Sequence, residues 1–252
     1  MQGQHADPSA RTGRTRRARR HPVRLRHHHQ PPVRLRAGPR PEVEEPIAVS
    51  RERSATMSPP DAPAGLVLRA DWAPVPTQAG EFQLVPVRPE RDLPTLTRWM
   101  NDPVVAAFWE LAGDESVTAR HLAPQLSDGS HSTPCIGVLS GTPMSYWELY
   151  RADLDPLARH YPSRPHDMGV HLLIGESRHR GRGTGTALLR AVAGLVFDHA
   201  PLCTRVVAEP DLRNAASVSA FLSAGFRLSA EIELPEKRAA LMVRDRAHPT
   251  RP

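Results

Sequence analysis

One segment constrains this 252-residue chain more than any other: Ile174-Gly175-Glu176-Ser177-Arg178-His179-Arg180-Gly181-Arg182-Gly183-Thr184-Gly185-Thr186-Ala187-Leu188-Leu189. An apolar run ends at Ile174, glycines then alternate with arginines, and Leu188, Leu189, Val192, Leu195 and Val196 follow at helical spacing. That pattern predicts a strand, a tight turn and an amphipathic helix. Glycine permits positive φ and lets backbone approach a ligand closely. The free N–H groups and dipole of the helix start favour an anion, and Arg178, Arg180 and Arg182 add positive charge. The plain alternative is a glycine-rich turn that binds nothing. A Walker loop is excluded because no Gly-Lys-Ser/Thr occurs. A dinucleotide-binding Rossmann turn fits poorly, since it follows a first strand and needs an acidic residue closing the next one. Here the motif comes late, and Asp198 lies in the same helix.

The rest of the chain reads as one α/β domain with a mixed sheet flanked by helices. Short strands are expected around Phe82–Val87, Ser132–Leu139, Met144–Tyr150, Met168–Ile174 and Thr204–Ala208, with a closing pair at Phe226–Leu234 and Ala239–Val243. Helices are expected over Glu90–Asn101, from Pro103 through Trp109, over Ser116–Leu126 with Ser116 as N-cap, over Gly183–His199 and over Ala215–Ala224. A polar connection, Arg151–His166, precedes the third central strand. This places the folded domain at residues 82–246, a Pro- and Ala-rich linker or surface arm at 57–81, and a short tail at 247–252.

Charge separates the first 56 residues from the remainder. They hold 13 Arg and 5 acidic residues, whereas residues 57–252 hold 20 basic and 22 acidic ones. Such an Arg/Pro/His-rich segment buries too little apolar surface to offset its ordering entropy, so it is expected to be disordered. Met57-Ser58-Pro59-Pro60 reads as a natural start, which makes 1–56 an upstream extension. The near-neutral body argues against a nucleic-acid-binding fold; binding through the basic tail alone is a weaker alternative. No run of 18 apolar residues exists to span a membrane. Cys135 and Cys203, far apart and without a CxxC, argue against a disulfide framework or a zinc site and fit a cytoplasmic location. The His27-His28-His29 run is read as part of the tail, and no metal is expected.

Arg180-Gly181-Arg182-Gly183-Thr184-Gly185 resembles the R/Q-x-x-G-x-G/A pyrophosphate loop of the GNAT acyl-CoA N-acyltransferases, as does the order of elements from Phe82 onward. Asn214 followed by Gly225-Phe226 resembles that family's second block. Five further blocks are similar to the siderophore lysine and hydroxylysine N-acyltransferases of the mycobactin and aerobactin type: Ser130–Gly137, Tyr146–Tyr150, Asp167–Gly175, Ala208–Asn214 and Leu234–Met242. The resemblance implies a single GNAT domain that uses acyl-CoA or an acyl-phosphopantetheine carrier as co-substrate. The donor would lie along the strand ending at Leu173, Ile174 and Gly175. Its pyrophosphate would meet Arg178, Arg180, Gly181, Arg182, Gly183, Thr184 and Gly185, with Asn214 on the pantetheine side. It also implies that Asp167 is the proton acceptor and that His131 contacts the acceptor.

The chemistry of acyl transfer has a use for the groups that the resemblance places on the acceptor side. A lysine amine is almost wholly protonated at neutral pH, so a carboxylate or imidazole that holds it and takes its proton is useful. An N-hydroxylated amine is less basic and needs that help less. By that resemblance, Asp167 and His131 are the candidate catalytic pair. Trp147, Glu148, His171 and Lys237 join His131 as candidate acceptor-binding residues, with Tyr146 and Tyr150 as further pocket walls. Cys135 is not needed as a nucleophile and is read as core. The expected acceptor is a small-molecule amine, with an acyl carrier protein as a second possible partner; a GNAT acting on an antibiotic or a protein is the alternative enzyme.

Overall fold

The computed structural model describes residues 72–247. The expected tail at 1–56, most of the 57–81 arm and residues 248–252 lie outside the described residues. Among the described residues, eight strands form one mixed sheet in the order β1-β2-β3-β4-β5-β6-β8-β7. The strands are β1 Val75–Thr77, β2 Gly80–Pro86, β3 Ser132–Leu139, β4 Thr142–Arg151, β5 Met168–Ile174, β6 Arg205–Ala208, β7 Arg227–Glu233 and β8 Arg238–Asp245. The helices are α1 Pro89–Met100, α2 Pro103–Trp109, α3 Glu115–Leu122, α4 Thr184–His199 and α5 Ala215–Ser223.

Two readings need correction. The chain between Trp72 and Phe82 is not a surface arm. It carries β1, and Trp72 is buried, stacked on His199 at 4.4 Å between ring centroids. The α3 N-cap is Asp114, whose carboxylate accepts from Ser116 N; Ser116 sits inside the first turn. An ionised Asp also suits the positive end of the helix.

The sheet is closed at its centre by β4, buried along most of its length because helices cover both faces. Strand alternation sends Trp147 and Leu149 to the face under α4, with Leu188, Leu189, Val192 and Val196 of its expected stripe. Tyr146 turns to the other face, where Leu96, Trp99, Met100 and Leu122 of α1 and α3 pack. Gly175, at the end of β5, lies against Trp99. A Cβ there would sit 2.1 Å from the indole, so only glycine lets α1 come this close.

The feature that positions the site is a gap in the sheet. β5 and β6 are parallel neighbours that share only two register pairs, Met168↔Val206 and Gly169↔Val207. Beyond them the strands part. On the β4 side the ladder is complete up to Ser145↔Ile174, and Gly175 N–H bonds to Met144 O. Antiparallel alternation then turns the backbone groups of Leu172 and Ile174 away from β4 and into the gap.

Candidate active site

The gap opens into a cavity of about 510 Å³ lined by Leu172, Leu173 and Ile174 of β5, the turn from His179 to Gly185, and Asn214, Ala216, Ser217 and Ala220 of α5. Val104, Val105, Phe108 and Trp109 of α2 form its apolar wall. Gly181 and Gly183 have φ of +70° and +76°, and a Cβ on either would meet open space. The sequence pays for the turn's left-handed geometry with glycine, and the ligand side stays unobstructed. Gly183 is the N-cap of α4 and supplies no capping side chain. The first-turn amides of this 16-residue helix are therefore not consumed by a cap of its own, the arrangement that binds a phosphate oxygen.

The three arginines of the turn do not act alike. Arg180 is a fastener: it donates to Ile174 O (2.8 Å) and Gly175 O (2.9 Å), and its charge is met by Asp102 at 3.0 Å. It shapes the end of β5 while lining the cavity, which differs from the free phosphate-binding cation expected of it. Arg178 and Arg182 are exposed beside the turn; Arg178 lies 3.5 Å from Glu176. Asn214 lines the cavity as the N-cap of α5, its carbonyl accepting from Ser217 N.

A second, polar cavity of about 510 Å³ lies on the α3 side, lined by His121, Gln125, Ser130, His131, Glu148, Tyr150, Asp155 and His171, among others. A third space of about 320 Å³ joins the two. It shares Phe108, Trp109, Leu172 and Asn214 with the first and His121, Glu148 and His171 with the second, and adds Glu209 and Lys237.

At this junction stands a hydrogen-bonded network. Glu148 Oε1 accepts from Tyr146 Oη (2.8 Å) and Gln125 Nε2 (2.7 Å) and lies 2.6 Å from His121 Nε2. His171 bridges two carboxylates, with Nδ1 2.8 Å from Glu148 Oε2 and Nε2 2.5 Å from Glu209 Oε1. Tyr150 Oη donates to Glu209 Oε2 at 2.9 Å, and Lys237 Nζ lies 3.7 Å from Glu209. Burial disfavours the charge on His171, but Glu209 and Glu148 outweigh it and lift the imidazole from 6.5 to about 10. Burial likewise works against the carboxylates, but His171 brings Glu209 down to about 2, and His121 with His171 holds Glu148 well below the carboxylate range. Near neutral pH the network is carboxylate–imidazolium–carboxylate, with a third of the His171 side chain still exposed to the cavity.

Of the expected acceptor residues, Glu148, His171 and Lys237 meet here, and His131 lines the polar cavity, 3.2 Å from Asp155. Trp147 does not belong: it is fully buried on the opposite face, donates to Ser145 Oγ and packs on Phe82. Neighbours on a strand face opposite ways, so Trp147 and Glu148 could not both line the site. Asp167 is also elsewhere. It is fully buried, lines none of these three cavities, and is paired with Arg205. His121 and Glu209 were missed, although Glu209 stands within the Ala208–Asn214 block. Cys135 is core, its thiol pushed up by burial and unsuited to nucleophilic attack. Among the described residues no group of His, Cys, Asp and Glu is arranged to hold a metal, and no helix is long and apolar enough to cross a membrane.

The GNAT acetyltransferase domain family matches residues 88–234. A lysine N-acyltransferase, MbtK, of Mycobacterium sp. (strain MCS) is 36% identical over 168 residues, which cover 67% of this chain and 68% of that protein. The N(6)-hydroxylysine O-acetyltransferase of Escherichia coli is 38% identical over 160 residues, covering 64% of this chain and 50% of its own length, so the chain spans half of that relative. Among solved structures, the aminoglycoside acetyltransferase AAC(6')-Ib in complex with coenzyme A superposes with a TM-score of 0.56 at 25% identity, over 66% of this chain and 95% of that one. The matched residues contain the split between β5 and β6, the glycine turn and both helices that border it, and on these grounds the chain belongs to the GNAT acetyltransferase family and is an acyltransferase.

Proposed function

We propose that this enzyme moves an acyl group from acyl-CoA, or from an acyl-phosphopantetheine carrier, to the side-chain amine of lysine, N-hydroxylysine or a related diamine, the chemistry of siderophore assembly. One observation carries the reading: the donor gap and the Glu148–His171–Glu209 network meet at adjacent residues of β5, Leu172 and His171. The residues of the gap fit the donor. The turn amides would receive the pyrophosphate, and the ladder-free edge, the backbone groups of Leu172 and the N–H of Ile174, would hydrogen-bond the pantetheine amides as a missing strand would.

The acceptor would enter through the polar cavity that His131 and Asp155 line, with Trp109 beside His171 where that cavity meets the third space. The network, negative overall before Lys237 is counted, holds and orients the nitrogen. The nitrogen lone pair attacks the thioester carbonyl, the C–S bond breaks, and the CoA thiol leaves with the proton that the nitrogen gives up. Glu148, His171 and Glu209 are committed to one another by hydrogen bonds and by charge, which makes them better holders of an amine than strong bases. That favours an acceptor that arrives neutral, and N-hydroxylation lowers amine basicity.

The test is turnover of acyl-CoA against lysine, N6-hydroxylysine and a simple diamine, with products identified by mass. At pH 7 the kcat/KM for the hydroxylated amine should exceed that for lysine by about tenfold or more, and the difference should shrink as pH approaches the lysine pKa near 10.4. Absence of acyl transfer to all three amines would reject the reading. A parallel run with an acylated carrier protein distinguishes the two donors.

A further inference from the structure

We propose that Asp167, which the family resemblance would make the proton acceptor, is instead a positioning residue: with Arg205 it pins β5 to β6 and so sets the width of the gap that receives the donor. The inference rests on the reading of that gap as the donor site. Its motivation is the register. The strands pair only at Met168↔Val206 and Gly169↔Val207. One step earlier, the same register places Asp167 opposite Arg205, so the ion pair extends the ladder at the closed end of the split.

The pair is bidentate. Arg205 Nε donates to Asp167 Oδ1 at 2.9 Å, and its Nη2 bonds to Oδ2. The remaining capacity of the carboxylate is taken by Tyr161 Oη at 3.0 Å and Arg164 N at 2.8 Å, while Arg205 also donates to Pro162 O at 3.0 Å. The clamp therefore ties three segments together: the start of β5, the start of β6 and the end of the Arg151–His166 connection. Asp167 is fully buried and Arg205 nearly so. Every oxygen of Asp167 has a donor, and none faces the cavities where donor and acceptor meet.

A base must reach the proton it removes, directly or through one water. Asp167 does not meet that requirement, whereas its place in the register meets that of a hinge pin. Leu172 lies five residues along β5, about 16 Å for extended backbone. A change of strand angle at the clamp is delivered to the gap at that distance.

The experiment titrates the full-length protein with CoA by calorimetry and records the pH dependence of kcat. Asp167→Asn should weaken CoA binding about tenfold or more by misplacing the walls of the gap, and leave the pH profile of kcat unchanged. That variant strands a buried guanidinium and can compromise folding, so Asp167→Asn/Arg205→Met, which removes both charges, is measured beside it. The double variant should fold and recover CoA affinity and kcat to within about threefold of wild type, because a buried ion pair can be replaced when both partners go. Two results overturn the proposal: CoA affinity unchanged in the folded single variant, or a double variant that binds CoA normally while kcat stays about 100-fold down, the deficit expected of a lost base. A wild-type protein that binds CoA but acylates no amine would sink the proposed acceptor reaction, yet the affinity comparison would still decide the role of Asp167.

Discussion

Glu148 receives hydrogen bonds on both oxygens from Tyr146, Gln125 and two histidine rings, which makes it the most heavily connected side chain at the junction of the cavities. Glu148→Gln replaces an acceptor-only carboxylate by an amide that must turn a donor toward one of its partners. Acceptor kcat/KM should fall by about 100-fold from the loss of a charge-assisted network, while CoA affinity stays within about twofold. Equal losses in both would place Glu148 in general stability instead. The pH dependence of stability follows from the same network. His171 is raised from 6.5 to about 10, so its contribution is complete below pH 6.5 and is lost as pH climbs to 10. Glu209 is lowered from 4.5 to about 2, so its contribution is complete above pH 4.5 and is lost as pH falls to 2. Melting temperature should therefore decline from pH 6.5 to 10 in the wild type and decline less in His171→Gln. These residues were partly legible in the chain. Glu148, His171 and Lys237 lie in blocks that resemble the siderophore acyltransferases. Glu209 stands 38 positions from His171 and His121 27 from Glu148, and only the fold brings them together. Trp147 differs from expectation because strand alternation turns it to the face opposite Glu148.

At the level of elements, α4 and the turn before it were the most legible part, since glycine spacing and an apolar stripe each have a direct physical meaning. Gly183→Ala forces a side chain into φ +76° at a site with open space around it. The expected cost is about 1–2 kcal/mol of stability with the fold retained, accompanied by weaker CoA binding. Gly175→Ala is different in kind. Its Cβ would meet Trp99 at 2.1 Å, so soluble expression should collapse. Thermal melts of the two variants, read with CoA titration of the first, separate a ligand-facing glycine from a packing glycine. β3 and β5 begin and end at the residues that apolar patterning indicated. β1 was not legible, being three residues long with a proline at its centre. Strand pairing was not legible either: β8 inserts between β6 and β7, and chain order carries no information about that choice.

At the scale of the molecule, the charge imbalance that marks residues 1–56 has no counterpart among the residues that build the site. A chain starting at Met57 should keep the full acyl-transfer rate, and one starting at Phe82 should not. The second truncation removes Trp72 and β1, exposing apolar surface on α4 and β2 and costing about 3 kcal/mol or more by the usual penalty for deleting a buried tryptophan. Chemical denaturation of both chains checks this. The central claim is that a thioester and an amine meet where β5 leaves β6. The most direct test is calorimetry with a bisubstrate conjugate in which CoA is joined through an acyl bridge to the side-chain nitrogen of lysine. The account predicts that the conjugate binds about 100-fold or more tightly than CoA alone and that Glu148→Gln abolishes most of the gain. Equal affinity for CoA and the conjugate in the wild type would contradict it.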